Sequence, residues 1–116
     1  MISVKLERCL NEAGKLARIA LKKRDEASLT RIYQYSRSLL FAFNREECAP
    51  QYYGSVITAL RRCAVVTRQV AAELQGEEQG QAYHYLNQNE RRVNFANYLH
   101  TQGRDAFREF MFGLLK

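Results

Sequence analysis

The chain has 116 residues, of which 47% are hydrophobic and 26% are charged, and its formal net charge is +6 at pH 7. A chain of this length can bury enough apolar surface to fold without metals or disulfides, and one proline with six scattered glycines argues against a low-complexity linker. No apolar run reaches the roughly 18 residues of a membrane span, so we expect a single helical domain over residues 1–116 that does not contact membranes.

The segment from Ile2 to Arg24 has the pattern of one amphipathic helix. Small and medium apolar residues recur at the period of a buried helix face. They are Leu6, Cys9, Leu10, Ala13, Leu16, Ala17 and Ala20. The opposite arc is basic and consists of Arg8, Lys15, Arg18 and Lys22. Seven basic and two acidic residues lie between Met1 and Arg24, a net charge of +5, so this segment carries most of the charge of the chain.

A second helix is predicted directly after the first. Asp25 is a suitable N-cap, and apolar residues then repeat at three and four residues from Leu29 to Phe43. Because the connection is short, we expect the first two helices to form an antiparallel hairpin. Tyr35 and Phe41 fall outside the apolar arc, and they are predicted to lie on the polar face, partly covered or exposed.

Residues 44–51 contain the only proline and are predicted to form a loop, after which a third helix runs from Tyr52 to Gln75 and stops at Gly76. On its polar side Thr58, Val65 and Ala72 recur every seven residues. Small residues at heptad spacing can contact a partner helix, from this chain or from a second copy. The alternative is that Val65 is simply an exposed valine.

Residues 77–81 are predicted to form a loop, followed by a helix from Ala82 to His100. Asn87 and Glu90 have the spacing of a capping pair, so a break near Asn87 is an alternative. His100 falls on the apolar arc of this helix and is predicted to be half-buried. A short final helix is predicted over residues 107–114. The fold class is therefore all-α, a compact bundle of four to five helices with short loops.

The sequence contains no pattern that indicates catalysis. The two histidines are 16 residues apart, no cysteine pair has metal-ligand spacing, and no glycine-rich phosphate loop follows a strand. Cys9 and Cys63 lie on apolar arcs, and Cys48 follows two glutamates that disfavour its thiolate. We therefore predict no enzyme, catalytic residue, metal or cofactor. Three cysteines without close spacing also favour a reducing compartment, and we expect a cytoplasmic protein.

The basic residues give the strongest indication of function. Thirteen of the 18 are arginine, whose planar guanidinium binds phosphate with two hydrogen bonds. The candidate nucleic-acid contacts are Arg8, Lys15, Arg18, Lys22, Arg61, Arg62, Arg68, Arg91 and Arg92. Arg61, Arg62 and Arg68 extend the face of the first helix if the third helix packs beside it, and Arg91 and Arg92 form a second cluster among asparagines.

Two functions fit these patterns. The first is a non-catalytic, oligomeric protein that binds RNA or duplex DNA through backbone phosphates. The alternative is an adaptor or small chaperone-like module whose basic face binds an acidic protein and whose Thr58, Val65 and Ala72 contact a partner helix. A plain solvated surface, on which some of these residues pair with Glu12, Glu73 or Glu90, also explains such charge.

Overall fold

The computed structural model describes residues 4–44 and 50–103, and the side chains of residues 7–43 and 51–103. These residues form four α-helices and one turn of 3-10 helix. In chain order they are α1 (Val4–Lys23), α2 (Glu26–Asn44), the 3-10 turn (Pro50–Tyr52), α3 (Tyr53–Ala71) and α4 (Gly76–Gln102). The all-helical prediction is confirmed, since this part of the chain contains no strand. The final helix predicted over residues 107–114 lies outside the described residues.

The turn between α1 and α2 is built from two consecutive residues. Arg24 has a φ of 50°, in the left-handed region, and its backbone N–H donates to the Ala20 carbonyl at 2.8 Å, which ends α1. The Asp25 carboxylate then accepts the backbone N–H of Ser28 at 2.9 Å, and this confirms Asp25 as the N-cap of α2. Hydrogen bonds from the side chain and backbone of Ser28 lower the pKa of Asp25 below its usual value.

Tyr35 of α2 is linked to α1 by a hydrogen bond. Its hydroxyl donates to the Cys9 carbonyl near the start of α1. The contact joins the first half of α1 to the middle of α2, and only Arg24 and Asp25 separate the two helices in the chain. Tyr35 is buried, so its predicted place on the polar face was wrong, whereas Phe41 is exposed. Burial of Tyr35 is tolerated because a backbone carbonyl accepts the hydrogen bond that its hydroxyl donates.

The boundary between α3 and α4 differs from the prediction. α3 ends at Ala71, and Gly76 begins α4 instead of ending α3. The predicted loop over residues 77–81 is wrong, because these residues form the first turns of α4. Glu77 and Glu78 suit that position, since carboxylates interact favourably with the amino end of a helix dipole. The Gln79 side-chain amide also donates to the Ala71 carbonyl at 3.0 Å.

α4 continues without a break to Gln102. Asn87 is exposed within it, and the Glu90 carboxylate pairs with Arg68 of α3 instead of capping a new helix. His100 is exposed, so its predicted half-buried position was also wrong. Its ring lies 5.9 Å from that of Tyr53 at the start of α3, which is consistent with α3 and α4 running in opposite directions.

The helices enclose one apolar cluster to which all four contribute. α2 and α3 contact each other at the centre, and α1 and α4 each pack on both of them, on opposite flanks of the bundle. The largest fully buried apolar side chains are Leu29, Ile32, Leu39, Phe43, Val56, Leu60, Val70 and Leu99. α1 contributes alanines, which allow close helix packing. Among the described helices, none combines the length and apolar character needed to cross a membrane.

Candidate nucleic-acid interface

The basic arc of α1 faces solvent. Its buried side is made by three alanines, Ala13, Ala17 and Ala20, and the opposite side by four exposed basic residues. These are Arg8, Lys15, Arg18 and Lys22, as predicted. At 1.5 Å of rise per residue they cover roughly 20 Å of helix. This single element therefore presents a row of positive charge, with the exposed Glu7 and Glu12 at its borders.

Arg62 of α3 extends this row across the α1–α3 contact. The Arg62 Nη1 atom lies 3.2 Å from the position that a Cβ atom would occupy at Gly14, and the Arg18 Nη1 atom lies 3.4 Å from the same point. Two guanidinium groups therefore converge on one glycine of α1. Glycine within a helix costs about 1 kcal/mol relative to alanine, and here its missing side chain leaves the space that the Arg62 guanidinium uses.

Neither member of this arginine pair has a carboxylate partner among the described residues. The salt bridges in this part of the structure join Arg24 to Glu73 at 2.6 Å and Arg68 to Glu90. Two like charges held close together raise the electrostatic energy of the folded chain unless an anion lies nearby. The Arg18–Arg62 pair is therefore suited to binding an anionic group.

A groove of about 540 Å³ runs between α1 and the first half of α3, and Arg62 forms one end of it. Its apolar lining comes from Leu10 and Ala13 of α1 and Ala59 of α3. Its remaining lining is Gln51, Gly54, Ser55, Thr58 and Arg62. The groove thus combines an apolar wall, neutral hydrogen-bonding groups and a cation within one open site.

The other α3 arginines lie on a different side of the bundle. Arg61 lines a smaller groove of about 330 Å³ between α3 and α4, and Arg68 pairs there with Glu90. An exposed ion pair of this kind contributes little stability, but it reduces the charge that Arg68 offers to a ligand. Of the three predicted α3 contacts, only Arg62 extends the basic arc of α1.

Thr58, Val65 and Ala72 are all exposed, but they do not form one seam. Thr58 lines the α1–α3 groove and Val65 lines the α3–α4 groove. Ala72 is the C-cap residue, beyond the last turn of α3. Val65 is the most exposed of the large hydrophobic side chains in the described residues, at 53%.

Arg91 and Arg92 do not form the predicted surface cluster. Arg91 is exposed, whereas only 8% of Arg92 is exposed. The Arg92 Nη1 atom donates to the Tyr33 carbonyl at 2.7 Å and to the Ser36 hydroxyl at 2.6 Å, and its guanidinium carbon lies 4.3 Å from the centre of the Tyr33 ring. These contacts position Arg92 inside the bundle, where it cannot reach a phosphate.

Arg92 belongs to a buried polar layer formed with Ser36, Thr67 and Asn89, which links α2, α3 and α4. The Ser36 hydroxyl donates to Asn89 Oδ1 at 2.6 Å, and Asn89 Nδ2 donates to the Thr67 hydroxyl at 3.2 Å. Burial lowers the pKa of Arg92. This layer was not predicted from the sequence, although Asn89 and Arg92 share one arc of α4 with the buried Leu86, Ala96 and Leu99.

Cys63 lies in the apolar core, where burial protects its thiol from reaction. Cys63 is 4% exposed, and burial raises the pKa of its thiol to about 12, so the thiol stays protonated at neutral pH. Within residues 4–44 and 50–103, no three His, Cys, Asp or Glu side chains come together in a group that could hold a metal ion.

Comparisons with protein-family models, curated proteins and solved structures give no match. The class of protein is therefore defined by the structure itself, as an all-helical bundle. Its most distinctive surface is the row of Arg8, Lys15, Arg18, Lys22 and Arg62, here called the α1 basic surface.

Proposed function

We propose that the protein binds nucleic acid through backbone phosphates on the α1 basic surface. The observation that carries this proposal is the convergence of Arg18 and Arg62 on Gly14. A phosphate placed between two guanidinium groups receives several charge-assisted hydrogen bonds and relieves their mutual repulsion. Such contacts position a nucleic acid without reading its sequence.

The spacing of the remaining residues supports a polyanion as the ligand. Arg8 and Lys22 lie near opposite ends of α1, and Lys15 and Arg18 lie between them. One small anion could use only the arginine pair, whereas a phosphate backbone can contact the whole row. Binding should therefore weaken steeply with salt, because each phosphate contact releases a counterion.

A charge-reversal variant tests this proposal. Arg8, Lys15, Arg18 and Lys22 are changed together to glutamate, and binding to labelled RNA and DNA oligonucleotides is followed by fluorescence anisotropy at low salt. We expect binding to be lost while the helical circular dichroism spectrum is retained. The same four positions changed to glutamine provide a second variant, which removes the charge without adding repulsion.

The matched control reverses the same amount of charge elsewhere. Arg31, Arg37, Arg61 and Arg91 are exposed on α2, α3 and α4, and none belongs to the α1 basic surface. Changed together to glutamate, they alter the net charge as much as the test variant does. Binding close to wild type is expected for this control. An α1 variant that still binds like wild type contradicts the proposal.

The exposed Val65 supports a second candidate function, a protein-binding adaptor. Val65 lines the α3–α4 groove beside Ala64 and Val93, so an apolar strip lies open there. In this proposal Val65 contacts a helix of a second copy or of another protein. Val65→Asp should then lower the mass measured by light scattering at high protein concentration, without affecting nucleic-acid binding. An unchanged mass for a protein that self-associates would eliminate Val65 as the contact.

A further inference from the structure

The α1–α3 groove lies directly beside the arginine pair, so one ligand can occupy both. Arg62 lines the end of the groove and also approaches Gly14 together with Arg18. The remaining lining begins at Gln51 in the 3-10 turn and continues through Ser55 and Thr58 of α3. Ser55, Thr58 and Arg62 share one stripe of α3, so the groove leads away from the charge along roughly two turns of the helix.

We propose that this groove holds one unpaired nucleotide, and that the protein therefore prefers single-stranded to duplex nucleic acid. This inference rests on the proposed function. The phosphate would bind Arg18 and Arg62, and the base would lie against the apolar wall made by Leu10, Ala13 and Ala59. The hydroxyl groups of Ser55 and Thr58 would face the polar edge of the base or the sugar.

The composition of the groove favours a nucleotide over other ligands. Its volume of about 540 Å³ lies within the usual range of small-molecule binding sites. An apolar helix would leave the Arg62 guanidinium without an anion, whereas a nucleotide supplies both an apolar base face and a phosphate. Bases within a duplex are stacked and paired, so a duplex can contact the arginines but cannot place a base in the groove.

The first test compares strand types. Single-stranded RNA, single-stranded DNA and the corresponding duplexes of equal length are titrated with the full chain at two salt concentrations. We expect both single strands to bind about tenfold or more tightly than the duplexes, because only an unpaired base can bury its apolar face in the groove.

The possible failures of this test are distinguishable. Equal affinity for single strands and duplexes overturns the groove proposal and leaves phosphate binding by the α1 basic surface intact. No binding to any of the four ligands overturns both proposals. A polyglutamate peptide that competes as well as unlabelled single strand at equal charge would identify an acidic protein segment as the occupant, and would also overturn the groove proposal.

A matched pair of serine variants tests the groove itself. Ser55 lines the groove near the start of α3, and Ser38 is an exposed serine of α2 outside it. Ser55→Leu should fill part of the groove and weaken single-strand binding about tenfold while leaving duplex binding unchanged, because leucine occupies the space of the base without offering an aromatic ring for stacking. Ser38→Leu should change neither. Thr58→Leu serves as a second groove variant if Ser55→Leu does not fold, and wild-type affinity in a folded groove variant overturns the proposal.

Discussion

Arg91 and Arg92 are neighbours in the sequence, yet their side chains have opposite environments. Arg91 is exposed, while Arg92 donates hydrogen bonds to Tyr33 and Ser36 within the buried polar layer. No described carboxylate pairs with Arg92. Its charge is stabilised by a carbonyl, a hydroxyl and the face of an aromatic ring. Arg92 is therefore a structural residue that holds α4 against α2.

This difference predicts the effects of two alanine substitutions. Arg92→Ala should lower the free energy of unfolding by about 3 kcal/mol, because it removes charge-assisted hydrogen bonds and leaves buried acceptors without a donor. Arg91→Ala should change it by no more than about 0.5 kcal/mol, as is usual for exposed sites. Urea unfolding of both variants measures the difference, and equal stabilities would show that the hydrogen bonds of Arg92 do not stabilise the fold.

At the scale of the helices, the amino end of α2 depends on one carboxylate. Asp25 accepts the backbone N–H of Ser28 and thereby caps α2. Asp25→Ala should cost about 1 kcal/mol of stability at neutral pH, whereas Asp25→Asn keeps an oxygen acceptor and should cost less. Thermal unfolding of the two variants beside wild type tests this order. If Asp25→Ala is as stable as wild type, the cap does not stabilise the fold.

The cap also predicts a dependence on pH. The Asp25 pKa is lowered by folding from its usual 3.8, so the unfolded chain binds the proton more readily than the folded chain. The stabilisation is complete above the unfolded value and is lost as pH falls through the lower folded value. The stability difference between wild type and Asp25→Ala should therefore shrink below about pH 4, and a difference that stays constant there would contradict this cause.

The helix boundaries show which local signals are reliable. The Asp25 cap and the repeating apolar residues of α1 and α2 could be recognised because they act within one turn of helix. The start of α4 was missed because Gly76 and two glutamates resemble a loop when they are considered without their neighbours. In the folded chain Gln79 contacts the end of α3, a contact that no local pattern contains.

At the scale of the whole molecule, helix packing decides which polar residues are available to a ligand. Periodicity predicted the all-helical class and the exposed basic arc of α1. It could not assign Arg61, Arg62 and Arg68 to different surfaces, since that depends on how α3 lies between α1 and α4. Nor could it predict that Tyr35 is buried, because the carbonyl that accepts its hydrogen bond lies on another helix.

Because of this packing, the α1 side and the α3–α4 side of the bundle differ in charge. The α1 basic surface collects charge from two helices around Gly14, whereas on the α3–α4 side Glu90 partly offsets the charge of Arg68. Net charge alone would attract a polyanion to any part of the molecule. We propose more specifically that a polyanion binds on the side on which Arg18 and Arg62 converge.

The measurement that tests this claim most directly is the salt dependence of nucleic-acid affinity, compared between wild type and the two charge-reversal variants. For five phosphate contacts, a plot of log affinity against log salt should have a slope of roughly −3 to −4 with a single strand. The control variant on α2, α3 and α4 should keep that slope, and the α1 variant should lose measurable binding. If the control loses affinity as much as the α1 variant does, binding follows net charge alone and the α1 basic surface is not the site.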